Sequence, residues 1–150
     1  MKVQTKFHGD VEIEEKDIFT FESGIPGFVD EKKFALLPLE GTPFIVLQSM
    51  KTREVAFIIS SPFETFQNYE VKISQDVLSD LQIDSEKDVY IYVILTVRDP
   101  FNETTANLQA PIVLNMSNQL GKQFIMNSSN YSIRELLIPS PEKEEKECSF

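Results

Sequence analysis

The chain has 150 residues, 41% of them hydrophobic, with a single cysteine, Cys148, and a single histidine, His8. That suffices for one domain burying roughly two thirds of its unfolded surface, and it excludes an internal disulfide framework. The 14 Lys and Arg against 24 Asp and Glu leave a net charge of −10, which repels phosphate backbones, excludes direct nucleic-acid binding and suits attraction to a basic protein.

In chain order, residues 2–7 and 10–13 read as two short strands about a His8-Gly9-Asp10 turn. Glu14, Glu15, Lys16 and Asp17 form a charged link into a third strand. There Phe19 and Phe21 share one face and Thr20 and Glu22 the other, because side chains alternate with period two. The ladder must stop at Gly24-Ile25-Pro26-Gly27-Phe28. Gly24 and Gly27 admit backbone angles closed to other residues, Pro26 lacks a donor, and Phe28 is expected to return its ring to the core. The corner reads as a tight turn orienting core aromatics; the alternative is a binding corner that presents Ile25, Pro26 and Phe28.

Residues 33–37 and 44–48 are apolar runs too short for helices and bounded by Pro38, Gly41 and Pro43, so they predict buried strands. Residues 54–60 predict the next, ended by Ser61-Pro62 because proline cannot continue a central ladder. Residues 69–73 alternate cleanly and predict another. One helix is expected near residues 74–82, where Ser74 caps the orphan amides, Asp76 suits the positive end, and Val77, Leu78 and Leu81 share a face.

Residues 84–88 then form an acidic loop. Residues 89–97 are the longest β-branched and aromatic run and predict a central strand, broken by Asp99-Pro100. Residues 104–108, 111–115 and 120–126 predict three more short strands. From Ser140 the chain has mixed charge and no apolar anchor, which divides it into a domain at 1–139 and a mobile acidic tail at 140–150 carrying Cys148 as an incidental thiol. The fold expected is all-β and mainly antiparallel, a small β-barrel-like domain with one short helix, since closure removes exposed strand edges.

Chemistry is sparse. His8 and Cys148 stand at opposite ends and offer no zinc set. Asp84, Glu86 and Asp88 imitate the first ligands of a calcium loop, but Val89 replaces its glycine and Leu95 its closing glutamate. They read as a solvated turn or as contacts for basic side chains. There is no Gly-rich phosphate cradle and no Gly-x-Ser-x-Gly elbow, so the reading is no enzyme and no cofactor, with paired carboxylates the one catalytic alternative. The N-terminus lacks a signal-peptide run and no stretch approaches the ~20 apolar residues of a bilayer span, which implies the cytoplasm and no membrane. The Asn-x-Ser/Thr sequons at Asn102, Asn115, Asn127 and Asn130 carry no glycosylation message there.

Three stretches together carry a family resemblance: residues 21–28, the strand Phe44-Ile45-Val46-Leu47-Gln48-Ser49, and Asn107-Leu108-Gln109-Ala110-Pro111-Ile112-Val113-Leu114-Asn115. In this order and at this chain length they resemble the flagellar assembly factor FliW, over residues 2–137. Gln123-Phe124-Ile125-Met126 resembles the family's penultimate strand; the tail after Ser140 falls outside the pattern. The resemblance implies a small cytoplasmic β-barrel-like protein that binds flagellin before export; a monomer is expected. It also implies binding of CsrA, a basic dimer that represses translation, and relief of its repression of flagellin messenger RNA without competing for the RNA site. Ile25, Pro26, Phe28, Asp84, Glu86 and Asp88 are the candidate partner contacts, and Gly24, Gly27, Asn107 and Pro111 the candidate fold determinants. The competing reading is a generic acidic module for another basic partner.

Overall fold

Turn chemistry and short apolar runs convert most of the chain into strands. The computed structural model describes residues 1–127 and 130–138. Its strands are β1 (Lys2–Gln4), β2 (Asp10–Glu12), β3 (Ile18–Thr20), β4 (Lys33–Pro38), β5 (Ile45–Ser49), β6 (Ala56–Ser60), β7 (Val89–Thr96), β8 (Thr105–Ala106), β9 (Ile112–Asn115), β10 (Leu120–Gln123) and β11 (Glu135–Leu136). The expected helix is present as α1 (Gln75–Asp80), its Val77 N–H donating to the Ser74 hydroxyl at 3.4 Å.

β3 to β7 form an antiparallel meander. The longest strand, β7, is central as expected, and it is also a junction. Residues 93–95 pair with β6, while Val89 to Tyr92 pair with β9. β9 turns into β10, and β10 returns beside β3 in parallel through Leu120 and Thr20, with the Thr20 N–H donating to the Gln119 carbonyl at 2.8 Å. The ring β3-β4-β5-β6-β7-β9-β10 therefore closes with seven strands. The parallel contact is a local exception in a mainly antiparallel barrel. β8 and β11 extend from the far end of β7.

The interior is filled by Phe19, Phe21, Phe34, Leu47, Ile59, Ile112 and Leu114. Phe21 and Phe34 meet edge-on at 5.2 Å, an arrangement that sets the positive ring edge against the negative face. Gly121 leaves room for the core in the wall: a Cβ there would stand 2.6 Å from the Phe21 ring, which would have to shift. The β1–β2 hairpin covers the outer face of β5, where the buried Gln48 accepts from the Lys6 N–H at 3.0 Å and donates to the Arg53 carbonyl at 3.0 Å. Across the barrel, α1 packs Val77 and the following Leu81 against Val113. Asn115 secures the helix end, its Nδ2 donating to the Leu81 carbonyl at 2.8 Å, which satisfies an orphan carbonyl of the last turn.

Residues 69–73 depart from expectation. They alternate in burial as a strand does, yet pair with no strand among the described residues. Alternation reports a two-faced environment rather than a ladder, and the barrel closes without this segment. Tyr69 anchors it from outside, its hydroxyl donating to the Leu108 carbonyl at 2.7 Å. β11 was not anticipated, because its two residues carry no measurable period. The expected tail at 140–150, with Cys148, lies outside the described residues.

Candidate functional site

The glycine corner is built by two positive-φ turns, Gly24 at 67° and Gly27 at 88°. Gly24 is buried, and a Cβ there would stand 2.7 Å from the Val29 backbone. The Phe28 N–H donates to the Ile25 carbonyl at 2.6 Å. This geometry splits the expected apolar contact. Ile25 is 2% exposed and joins the barrel core, so its side chain is not at the surface. Pro26 is exposed. The Phe28 ring returns only partway, 40% exposed, with its edge against Phe57 at 5.3 Å. Val29, not singled out from the sequence, is 58% exposed beside it. The surface of the corner is thus Pro26, Phe28 and Val29.

Asp84 and Glu86 are exposed and Asp88 half-buried. Ser85 holds the turn, accepting from the Lys87 N–H at 3.3 Å, and the Asp88 carbonyl accepts from the Met116 N–H at 2.8 Å. Among the described residues no three His, Cys, Asp or Glu side chains converge on a possible metal position. Asn107 stands at a turn, its Oδ1 accepting from the N–H groups of Gln109 and Ala110 at 3.1 Å each. Pro111 is buried, and its carbonyl accepts from the Phe124 N–H at 2.8 Å.

Two grooves flank residues 70–74 on the outer surface. One, of about 510 Å3, is lined by Glu70, Lys72 and Ser74 and by Phe124 to Asn127. The other, of about 350 Å3, is lined by Val71, Ile73, Leu78, Ile83, Val89 and Ile91, with Glu86 at its acidic end. Glu86 thus belongs to both the acidic loop and the aliphatic groove, whose lining includes no residue of the corner. Spacing alone did not reveal the groove, because its walls come from a helix, a loop, β7 and the segment before α1. Burial pushes the Tyr69 phenol well above its ordinary value, with the Tyr131 phenol adding to the rise; the cause is desolvation of a group that would ionise inside the packing. No helix among the described residues is long and apolar enough to cross a membrane.

Closed topology, a plugged interior and features confined to outer grooves and corners define a small β-barrel protein whose ligands must be met on its outside. The chain belongs to the FliW family, whose model, described as FliW protein, matches residues 2–137. It is 56% identical over 139 residues to the flagellar assembly factor FliW of Geobacillus thermodenitrificans (strain NG80-2), covering 93% of this chain and 96% of that protein. It is 45% identical over 135 residues to the flagellar assembly factor FliW of Bacillus subtilis (strain 168), covering 89% and 94%. A crystal structure of the flagellar assembly factor FliW superposes with a TM-score of 0.91 at 54% identity, covering 94% of this chain and 99% of that one.

Proposed function

We propose that this chain is a cytoplasmic, monomeric, non-enzymatic flagellar assembly factor that holds flagellin before export and, when flagellin-free, binds CsrA and relieves its repression of flagellin translation. The observation that carries the reading is membership of the FliW family along residues 2–137. The net charge of −10 is consistent with it, since an acidic surface meets a basic RNA-binding protein with complementary fields and fast association. The two partners are linked through a shared component: each lowers the concentration of free chain available to the other.

Relief of repression is non-competitive in this reading. The chain binds beside the RNA face of CsrA and weakens RNA retention through its field and through the regulator's conformation. Screening confines such a field to about 8 Å at physiological salt, so the acidic surface must lie close to the phosphate path. Asp84, Glu86 and Asp88 are the proposed acidic contacts, and Pro26 and Phe28, now with Val29, the proposed apolar ones.

Co-purification from lysate, with and without flagellin, tests the reading. Flagellin is expected to be recovered when present, and CsrA when flagellin is removed. Recovery of neither at low salt would leave a generic acidic module for some other basic partner.

A further inference from the structure

Residues 70–73 lie outside the barrel ladder, alternate in burial as a strand does, and pair with no strand among the described residues. Glu70 and Lys72 are exposed; Val71 and Ile73 are half-buried against the clusters below. The Glu70 N–H donates to the Tyr131 hydroxyl at 3.0 Å. Beyond it, the N–H and C=O groups of Val71, Lys72 and Ile73 bond to no protein group among the described residues. Among the described residues, three consecutive positions thus keep their backbone donors and acceptors unspent.

A backbone with unpaired donors and acceptors and strand-like alternation of side chains is a template for another strand. Here it runs along the 350 Å3 aliphatic groove, where Val71 and Ile73 face Leu78, Ile83, Val89 and Ile91. We propose that residues 70–73 accept an extended, basic segment of a protein partner as an added strand. Its alternate apolar side chains enter the aliphatic groove and its Lys or Arg side chains meet the acidic end.

The charge of the occupant follows from that end. Glu86 lines the groove, and Asp84, Glu86 and Asp88 follow one another with Lys87 as the only cation between them. An acidic strand would be repelled at the point of entry, whereas a basic one gains there without burying its charge. The inference rests on the reading that this chain's ligands are proteins, and adds the surface and the mode of recognition.

The probe is a short synthetic peptide alternating Val and Lys, used with the whole protein. Amide hydrogen exchange at Val71 and Ile73, whose N–H groups share one edge in a strand, should be fast in the free protein and slow by about tenfold or more on saturation, while that of Lys72, on the Tyr131 side with Glu70, should change little. N-methylating one peptide amide on the bonding edge should weaken binding about fivefold, the worth of one net hydrogen bond, while methylating one on the opposite edge should not. Glu86→Lys should weaken the Val-Lys peptide and admit a Val-Glu peptide in its place. The proposal is overturned if the Val-Lys peptide does not bind, binds without slowing the Val71 and Ile73 amides, or is equally affected by methylation on either edge. It is also overturned if the free protein forms a dimer that already protects them, which would assign the edge to a second copy. Protection by the peptide supports the edge even where flagellin and CsrA are not recovered from lysate, so the two readings fail separately.

Discussion

Gly24 and Gly27 both hold positive φ, at 67° and 88°, yet alanine at the two positions should have unequal consequences. The left-handed backbone costs an L-residue ~1–2 kcal/mol at either site. The reduced freedom of the unfolded chain offsets ~0.4–1 kcal/mol of that, again at either site. What differs is the space. A Cβ on Gly27 meets nothing within 4 Å, whereas one on Gly24 stands 2.7 Å from both the Cα and the carbonyl oxygen of Val29 and 2.9 Å from the Phe28 carbonyl oxygen. These are backbone atoms of the same turn and cannot rotate away, so the turn must open and draw on the Ile25 plug. Overpacking of this kind adds ~1–3 kcal/mol. With ~2–4 °C of melting temperature per kcal/mol for a domain of this size, Gly24→Ala should melt ~2–12 °C below Gly27→Ala. Thermal unfolding followed by circular dichroism measures both. Equal melting temperatures, or a lower one for Gly27→Ala, would refute the close-approach argument.

Tyr69→Phe removes the hydroxyl that donates to the Leu108 carbonyl and should cost ~1–3 kcal/mol in urea unfolding at neutral pH. Because the folded-state phenol is raised above its ordinary value of 10.0, by burial first and Tyr131 second, its stabilising effect is full below the unfolded pKa and is lost as pH rises above it. The wild type should therefore lose stability above pH ~10 more steeply than Tyr69→Phe, with Tyr92, also raised by burial, leaving some slope in both; parallel slopes would count against it. Gly121→Ala should destabilise by ~1–3 kcal/mol, since the new methyl meets the Phe21 ring at 2.6 Å and Leu114 at 2.8 Å. A Phe21→Leu background should soften that loss, and a purely additive double variant would show that the two sites are not coupled. Lys at Asp84, Glu86 and Asp88 changes the charge by +6, from −10 to −4; it should slow association with CsrA, or leave binding intact and reduce RNA displacement, in stopped-flow and competition assays. A triple variant matching wild type in both, against controls without the protein at each salt concentration, removes the loop from the mechanism.

The barrel was legible where one residue property answered one question. Phe19 and Phe21 alternate with Thr20 and Glu22, and both phenylalanines are buried as that period requires. Ser74 and Asp76 marked the start of α1 because orphan amides need an acceptor and the helix dipole favours an anion. Closure was legible only as a need to hide edges. The specific seam, Leu120 beside Thr20 in parallel, depends on residues about a hundred positions apart, and no local period encodes it. The segment at 69–73 failed for a related reason. A strand pattern records which side chains face protein and which face water, and an unpaired segment lying across an apolar surface satisfies the same record.

The partner surfaces were less legible because a turn, unlike a strand, does not reveal which of its side chains point inward. Ile25, Pro26 and Phe28 are adjacent and equally apolar, yet the positive φ of Gly24 drives Ile25 into the core while Pro26 stays exposed. Composition could not separate them. The acidic loop was the opposite case: three carboxylates within five residues must be largely solvated wherever they fall, so exposure was predictable but purpose was not. Its significance arises from what folding brings next to it. Glu86 closes an aliphatic groove whose walls are drawn from residues 71 to 91, and a charge at the mouth of an apolar groove selects for an amphipathic ligand in a way that the same charge on a flat polar surface does not. In the proposed complex, attraction steers the encounter, and burial of the apolar side chains sets how long it lasts.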